Sequence, residues 1–210
     1  MKSMRAIMVG AMLLTSVTAW AQRADVYADY SYLHFSPTIT GLNSRSFNGG
    51  GAGADLYFLK IFGVKADFQG YASTTFTRTY TTPVIVPGRG TIPAGTYTSQ
   101  GNMFTYLFGP ILRIPLPIVK PFGEVLFGGS NTNAYVNLAK QIDANGGTIS
   151  VPNQHPFTMA AGGGVDVSVS HHLAIRLGEF DYVLTRYTNP LTSTNNQNNF
   201  RYSGGVVLKF

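Results

Sequence analysis

From Val64 to Gln69 the chain alternates strictly, with Val64, Ala66 and Phe68 on one parity and Lys65, Asp67 and Gln69 on the other. A period of two marks a β-strand whose faces meet different surroundings. The pattern recurs along the chain. Ala24 to Phe35 sets Val26, Ala28, Tyr30 and Tyr32 against Asp25, Asp29 and Ser31, and a second segment sets Ala52, Ala54, Leu56 and Phe58 against Asp55. Val64 to Gln69 is the third. A fourth carries Phe104, Tyr106 and Phe108, a fifth Val125 and Phe127 opposite Glu124, and a sixth Met159, Ala161, Val165 and Val167 opposite Gly162, Gly164 and Asp166. In the seventh, Ile175 and Leu177 alternate with Arg176. The phase then flips, so that Phe180, Tyr182 and Leu184 alternate with Glu179 and Asp181, which predicts a β-bulge near Gly178. The eighth, Phe200 to Phe210, places Tyr202, Gly204, Val206, Leu208 and Phe210 on one face and Arg201, Ser203 and Lys209 on the other.

The links between these segments alternate in length. Residues 36–45, 72–100, 131–156 and 188–198 are long and rich in Thr, Asn, Ser, Gly and Pro, whereas Leu59-Lys60-Ile61, Pro115-Leu116-Pro117 and Ser170-His171-His172 are tight. That asymmetry belongs to barrels that cross an outer membrane, with long loops outside and turns in the periplasm, so both termini are expected on the periplasmic side. After residue 21 no apolar run approaches 18 residues, which excludes helical spans. Hydrocarbon cannot satisfy backbone amides, and only a closed sheet then leaves none exposed. The expected fold is all-β: an antiparallel up-and-down transmembrane barrel of eight strands. Ten strands is the alternative, because Val84-Ile85-Val86 and Gly88-Arg89-Gly90 can pair as a further hairpin. The preferred reading makes this region an extension of strands three and four above the membrane. A soluble periplasmic sandwich or lipocalin-like barrel is the runner-up, but its solvent face should be rich in Lys and Glu. Here the second face is Gly, Ser, Thr and a few charges of both signs.

Ahead of the strands, basic Lys2 and Arg5, an apolar run from Ala6 to Val17 and the ending Ala19-Trp20-Ala21 read as a secretory signal peptide over residues 1–21, with residues 22–210 as one barrel domain. The apolar run is short for an uncleaved anchor. Cleavage leaves thirteen Lys and Arg against nine Asp and Glu, a net +4. These cations are scattered, so no nucleic-acid partner is expected, and membrane lipids are the better match. Cysteine is absent, which excludes disulfides and thiolate zinc sites.

The chain resembles the small outer-membrane β-barrel family typified by the membrane domain of OmpA. The likeness rests on Asp25-Val26-Tyr27-Ala28-Asp29-Tyr30-Ser31-Tyr32, Phe62-Gly63-Val64-Lys65-Ala66-Asp67-Phe68, Ala160-Ala161-Gly162-Gly163-Gly164-Val165-Asp166, Arg176-Leu177-Gly178-Glu179-Phe180-Asp181-Tyr182 and the end at Phe210. The resemblance implies that Tyr202, Gly204, Val206, Leu208 and Phe210 form the signal by which the outer-membrane assembly machinery recognises the last strand. Larger relatives carry a periplasmic peptidoglycan-binding domain after the barrel. This chain stops at Phe210, so that mode of wall tethering is not expected.

Inward parity collects Asp55, Lys65, Asp67, Glu124, Asp166, Arg176, Glu179, Asp181 and Arg201. Unpaired charges are costly inside a narrow barrel, so ion pairs that plug the lumen are expected, with a gated polar conduit as the alternative use of the same residues. His171 and His172 fall in a periplasmic turn beside Ser168 and Ser170, away from the outer leaflet where lipid-modifying barrels act. His34 is near the top of the first strand without an evident partner, and His155 is in a loop. No zinc-ligand spacing or EF-hand pattern occurs, and no cofactor, metal or catalytic residue is expected. The run Gly49-Gly50-Gly51-Ala52-Gly53 precedes a strand rather than opening a helix, which argues for close strand packing instead of a phosphate loop. Tyr30, Tyr32, Phe62, Phe68, Tyr71, Tyr182, Tyr187 and Tyr202 are expected in interfacial girdles. The functional expectation is a monomeric, non-enzymatic outer-membrane barrel with a structural or surface-interaction role and an extracellular ligand for its long loops. A small low-conductance pore is the first alternative and an outer-leaflet lipid-modifying enzyme the second.

Overall fold

The structure, a computed structural model, describes residues 23–36, 45–86, 90–149, 155–186 and 196–210. The signal-peptide segment, parts of the first and last long loops, Gly88, Arg89 and Tyr187 lie outside these residues. In chain order the elements are β1 (Arg23–Ser36), β2 (Arg45–Tyr57), β3 (Phe62–Tyr80), β4 (Val84–Val86), β5 (Gly90–Ile92), β6 (Gly95–Arg113), β7 (Val119–Thr132), α1 (Ala134–Ala144), β8 (Thr148–Ile149), β9 (Phe157–Ser168), β10 (Leu173–Arg186) and β11 (Asn196–Lys209).

Eight antiparallel strands close a barrel in the order β1-β11-β10-β9-β7-β6-β3-β2, with β2 returning to β1. The seam pairs Asp25 with Lys209 through to Ser36 with Asn198, and the Phe210 amide donates to the Ala24 carbonyl at 2.8 Å. No barrel strand is left with an edge along the wall, which is what a hydrocarbon surround demands. Outward parity carries Val26, Val64, Phe68, Phe104, Phe108, Val125, Phe127, Ile175, Phe180, Val206 and Leu208, all exposed on the wall. Near the long-loop rim the outward tyrosines turn polar tips to neighbours: Tyr30 to Asn48 at 2.7 Å, Tyr32 to Ser46 at 2.6 Å and Tyr182 to Asn198 at 2.7 Å. Tyr71 departs from the expected girdle. It points inward, buried, with its hydroxyl 3.2 Å from Ser31 Oγ, because its odd parity on β3 matches Lys65 and Asp67 rather than Phe68.

β3 and β6 continue as a paired ribbon beyond the barrel, to Tyr80 opposite Gly95. The small hairpin of β4 and β5 also forms, but it joins β8 in a separate three-stranded sheet and adds nothing to the wall. The third long loop is more ordered than its Asn-rich composition suggested, since α1 lies against β6. Asn133 Oδ1 accepts from the Asn102 amide at 3.1 Å, Asn137 Nδ2 donates to the Gln100 carbonyl at 2.7 Å, and Gln141 exchanges both bonds with the Thr98 backbone, the Thr98 amide reaching its Oε1 at 2.9 Å. Four helical residues rise about 6.0 Å, close to the roughly 6.6 Å of two strand residues. Amides spaced by four on the helix therefore meet every second backbone position of β6 and stand in for a neighbouring strand. Tyr80, Ile92, Tyr97 and Ile142 form the core of this cap.

Candidate functional site: the plugged lumen and its two ends

The inward face is layered. Its middle holds all nine of the charged residues predicted from parity, each buried. Lys65 Nζ donates to Glu124 at 2.8 and 3.0 Å and to Glu179 at 2.7 Å. Arg176 reaches Asp166 through Nε at 2.8 Å, Glu179 through Nη1 at 2.7 Å and Asp55 through Nη2 at 3.2 Å. Arg201 reaches Asp67 at 2.5 Å, Asp181 at 2.7 Å and Glu179 at 3.3 Å. Glu179 thus touches all three cations. Six carboxylates share three cations in this layer, so each cation serves two or three acids. The side chains keep 0–2% exposure, a dry environment in which an orphaned charge is expensive.

A bulge makes this arrangement available. The pairing of β10 with β11 shifts between Arg176 and Glu179, and that with β9 shifts between Arg176 and Gly178. In a regular strand, positions three apart face opposite sides. The extra residue lets Arg176 and Glu179 both point inward and bond.

Several participants lie outside the predicted set. Tyr27 Oη donates to Asp67 at 2.8 Å, and its ring and that of Phe122 sandwich the Arg176 guanidinium at 4.5 and 4.4 Å. Gln69 Nε2 bridges Asp29 and Asp67, each at 3.0 Å. Below the network, Arg113 pairs with buried Asp25 and stacks on Tyr57 at 3.7 Å. Asp25 is legible as inward from parity, but its partner is 88 residues away in a stretch that reads as apolar. Above the network the lumen is apolar, a layer that the reading of the inner face as Gly, Ser, Thr and a few charges did not include: Leu33, Phe47, Tyr71, Met103, Leu107, Leu126, Ala160 and Val183 pack together. Strands four and five alternate weakly because Leu107 and Leu126 stand inside while Phe108 and Val125 stand outside.

The glycine run on β2 serves packing. Inward Gly49, Gly51 and Gly53 carry no side chain where Tyr71, Gln69 and Tyr27 fold across the strand. A Cβ at Gly53 would run into the Tyr27 hydroxyl and the Ala66 carbonyl.

His34 has a partner that the sequence did not reveal. It pairs across strands with Ser46 and its Nδ1 is 3.3 Å from Ser46 Oγ, which also meets Tyr32. Among the described residues no carboxylate bonds this ring. His171 and His172 sit at the short-turn end, His172 Nδ1 lying 3.2 Å from the Lys209 carbonyl, and His155 is exposed. Glu124, Glu179 and Asp181 bring carboxylate oxygens within 4.8 Å of one another, but Lys65 and Arg201 already occupy that space. On β11, Val206 and Leu208 are exposed on the outer wall, with Tyr202 and Gly204 half-buried in the same row, and Phe210 just past the strand is exposed.

No protein-family model matches the chain, and no curated protein matches it. Among solved structures it is similar to Neisserial surface protein A, with a TM-score of 0.56 and 14% identity over 89% of this chain and 97% of that one. It is also similar to the outer membrane protein OprG from Pseudomonas aeruginosa, with a TM-score of 0.55 and 14% identity over 90% and 96%. Ail, the attachment invasion locus protein of Yersinia pestis, aligns with a TM-score of 0.50 and 12% identity over 90% and 98%. Likeness at such identities is likeness of fold, and it agrees with the closed eight-stranded sheet. The chain has the fold of the small eight-stranded outer-membrane β-barrels.

Proposed function

We propose that this protein is a monomeric integral outer-membrane barrel with a structural or surface-interaction role, its lumen plugged by paired charges. The observation that carries the reading is the buried network of Lys65, Arg176 and Arg201 with six acids, sealed above by the Leu33–Val183 apolar cluster. In this reading residues 1–21 are a cleaved signal peptide, the short turns and both termini are periplasmic, and the long loops face outward. The outward row from Tyr202 to Phe210 would be recognised by the outer-membrane assembly machinery. The ribbon of β3 and β6 with α1 offers a folded surface for an extracellular ligand. Ail, a barrel of the same fold, is named for attachment and invasion, a precedent for surface contact.

The pore alternative requires three multiply bonded cations to release their acids. Among the described residues the enzyme alternative has the Ser46–His34 contact to build on, and no acid among them orients the ring. Cell fractionation combined with protease shaving tests the proposal: the protein should sediment with the outer membrane, migrate differently on SDS gels before and after boiling, and be cut in its long loops on intact cells. Phe210→Ala should lower its surface density, and Ser46→Ala should leave phospholipid composition unchanged. A soluble periplasmic pool with identical migration would overturn the assignment.

A further inference from the structure

Four cations occupy inward parity at the short-turn end, each on a different strand: Arg23 on β1, Arg113 on β6, Lys120 on β7 and Lys209 on β11. With Ser168, Ser170, His171 and His172 they line a cavity of about 540 Å³. Asp25 is the acidic side chain in this lining, and it is taken by Arg113. Among the described residues no carboxylate forms an ion pair with Arg23, Lys120 or Lys209. The charge balance is the reverse of that in the lumen above, where acids outnumber cations.

The wall of this mouth is held in place before any ligand arrives. Lys209 Nζ donates to Ser168 Oγ at 3.1 Å and to the Ser170 carbonyl at 2.7 Å, the Lys209 amide donates to the His172 carbonyl at 3.0 Å, and the His172 amide reaches Ser170 Oγ at 3.3 Å. These bonds pin the β9–β10 turn against the last strand. Cations held on converging walls repel one another, and a shared anion relieves that repulsion. A phosphate group suits the geometry better than a single carboxylate, because its several oxygens accept bonds from different directions at once, from lysine point charges, an arginine fork, hydroxyls and imidazoles. The volume is within the range of about 300–1,000 Å³ typical of small-molecule clefts.

The surroundings bring lipid to the same place. Outward side chains on β6 from Phe104 to Leu112 lie eight residue steps apart, which in a strand tilted by about 40° give roughly 20 Å of height, short of the apolar band of about 25 Å. The shortfall is made up by the turns, whose Ile114, Leu116, Ile118 and Val169 are all strongly exposed. The hydrocarbon boundary therefore reaches the turns, and the cationic mouth stands at head-group depth.

We infer that the short-turn mouth of the barrel is a binding site for a phosphate-bearing anion, with Arg23, Lys120 and Lys209 as its charged contacts and Ser168, His171 and His172 as further hydrogen-bonding contacts. The phosphate comes either from a phospholipid head group of the adjacent leaflet or from a soluble phosphate compound. The test is calorimetric titration of the purified protein in nonionic-detergent micelles with dihexanoyl phosphatidylglycerol, dihexanoyl phosphatidylcholine and inorganic phosphate. Saturable binding of phosphatidylglycerol that millimolar phosphate fails to displace supports the site with lipid as source; displacement by phosphate supports it with a soluble source. The K120Q/K209Q variant should bind at least tenfold more weakly, K120R/K209R should retain binding, and K60Q, outside the cavity, should match the parent. Boiling-dependent gel migration reports whether each variant is folded; if K120Q/K209Q is not, R23Q takes its place and should weaken binding at least threefold. Equal response to phosphatidylcholine with no response to phosphate, or unchanged titration of the folded glutamine variant, would overturn the inference.

Discussion

Arg176→Met is the perturbation that most sharply probes how the lumen is held. The guanidinium supplies both bonds to Asp166, at 2.8 and 3.3 Å, and the Nη2 contact to Asp55 at 3.2 Å, while Glu179 keeps Lys65 and Arg201 after its removal. Two buried acids therefore lose their cation, and breaking a buried pair from one side costs about 3–5 kcal/mol. Methionine fills most of the volume between Tyr27 and Phe122 but forfeits the cation–π attraction, roughly 0.5–2 kcal/mol. A loss near 4 kcal/mol, with a guanidinium m-value of about 4 kcal/mol/M, lowers the unfolding midpoint by about 1 M. Glu124→Gln is the matched contrast. It removes one acid from a layer in which acids exceed cations and leaves Lys65 its bond to Glu179, so its cost should stay within about 1 kcal/mol. The assay is guanidinium unfolding of the refolded protein in phospholipid vesicles, scored by boiling-dependent gel migration. R176M/D55N/D166N should recover most of the loss. Equal costs for R176M and E124Q, or a loss below about 1 kcal/mol for R176M, would refute the view that scarce cations hold an excess of buried acids.

Gly53→Ala places a Cβ against the Tyr27 hydroxyl and the Ala66 carbonyl, and should cost about 1–3 kcal/mol in the same unfolding assay by overpacking; outward Ala54→Gly on the same strand should cost less than about 1 kcal/mol. Gln141→Ala removes the helix amide that pairs with the Thr98 backbone, so hydrogen exchange at the Thr98 amide should speed by about five- to tenfold, in line with a local bond of roughly 1 kcal/mol, while barrel amides hold their rates.

How much of this was readable before the structure depends on which surroundings each residue type reports. Lys65, Asp67 and Gln69 against Val64, Ala66 and Phe68 announce a wall between lipid and lumen, because both environments are selective and opposite. The phase flip around Gly178 is readable for the same reason, and it foretells that Arg176 and Glu179 share a face. Parity also collects the nine charged residues but says nothing of partners, since Lys65 meets Glu179 across 114 residues. Where inside and outside are both apolar the signal fades: Leu107 beside Phe108 and Leu126 beside Val125 look alike in sequence, and the apolar lumen layer is invisible. Tyr71 is ambiguous because tyrosine suits a girdle and a buried hydroxyl contact equally well. The cap hides for another reason. Asn133, Asn137 and Gln141 are spaced by four, a pattern that means something only once β6 is known to present a bare edge at residues 98–102.

Conductance of the refolded protein in planar bilayers, recorded as single channels over a range of salt, tests the plugged lumen most directly. The layered charges and the apolar cluster above them predict silence from protein whose gel migration shows it to be folded. Reproducible steps that change when Arg176 or Glu124 is neutralised would contradict the plug and make the same residues a gate.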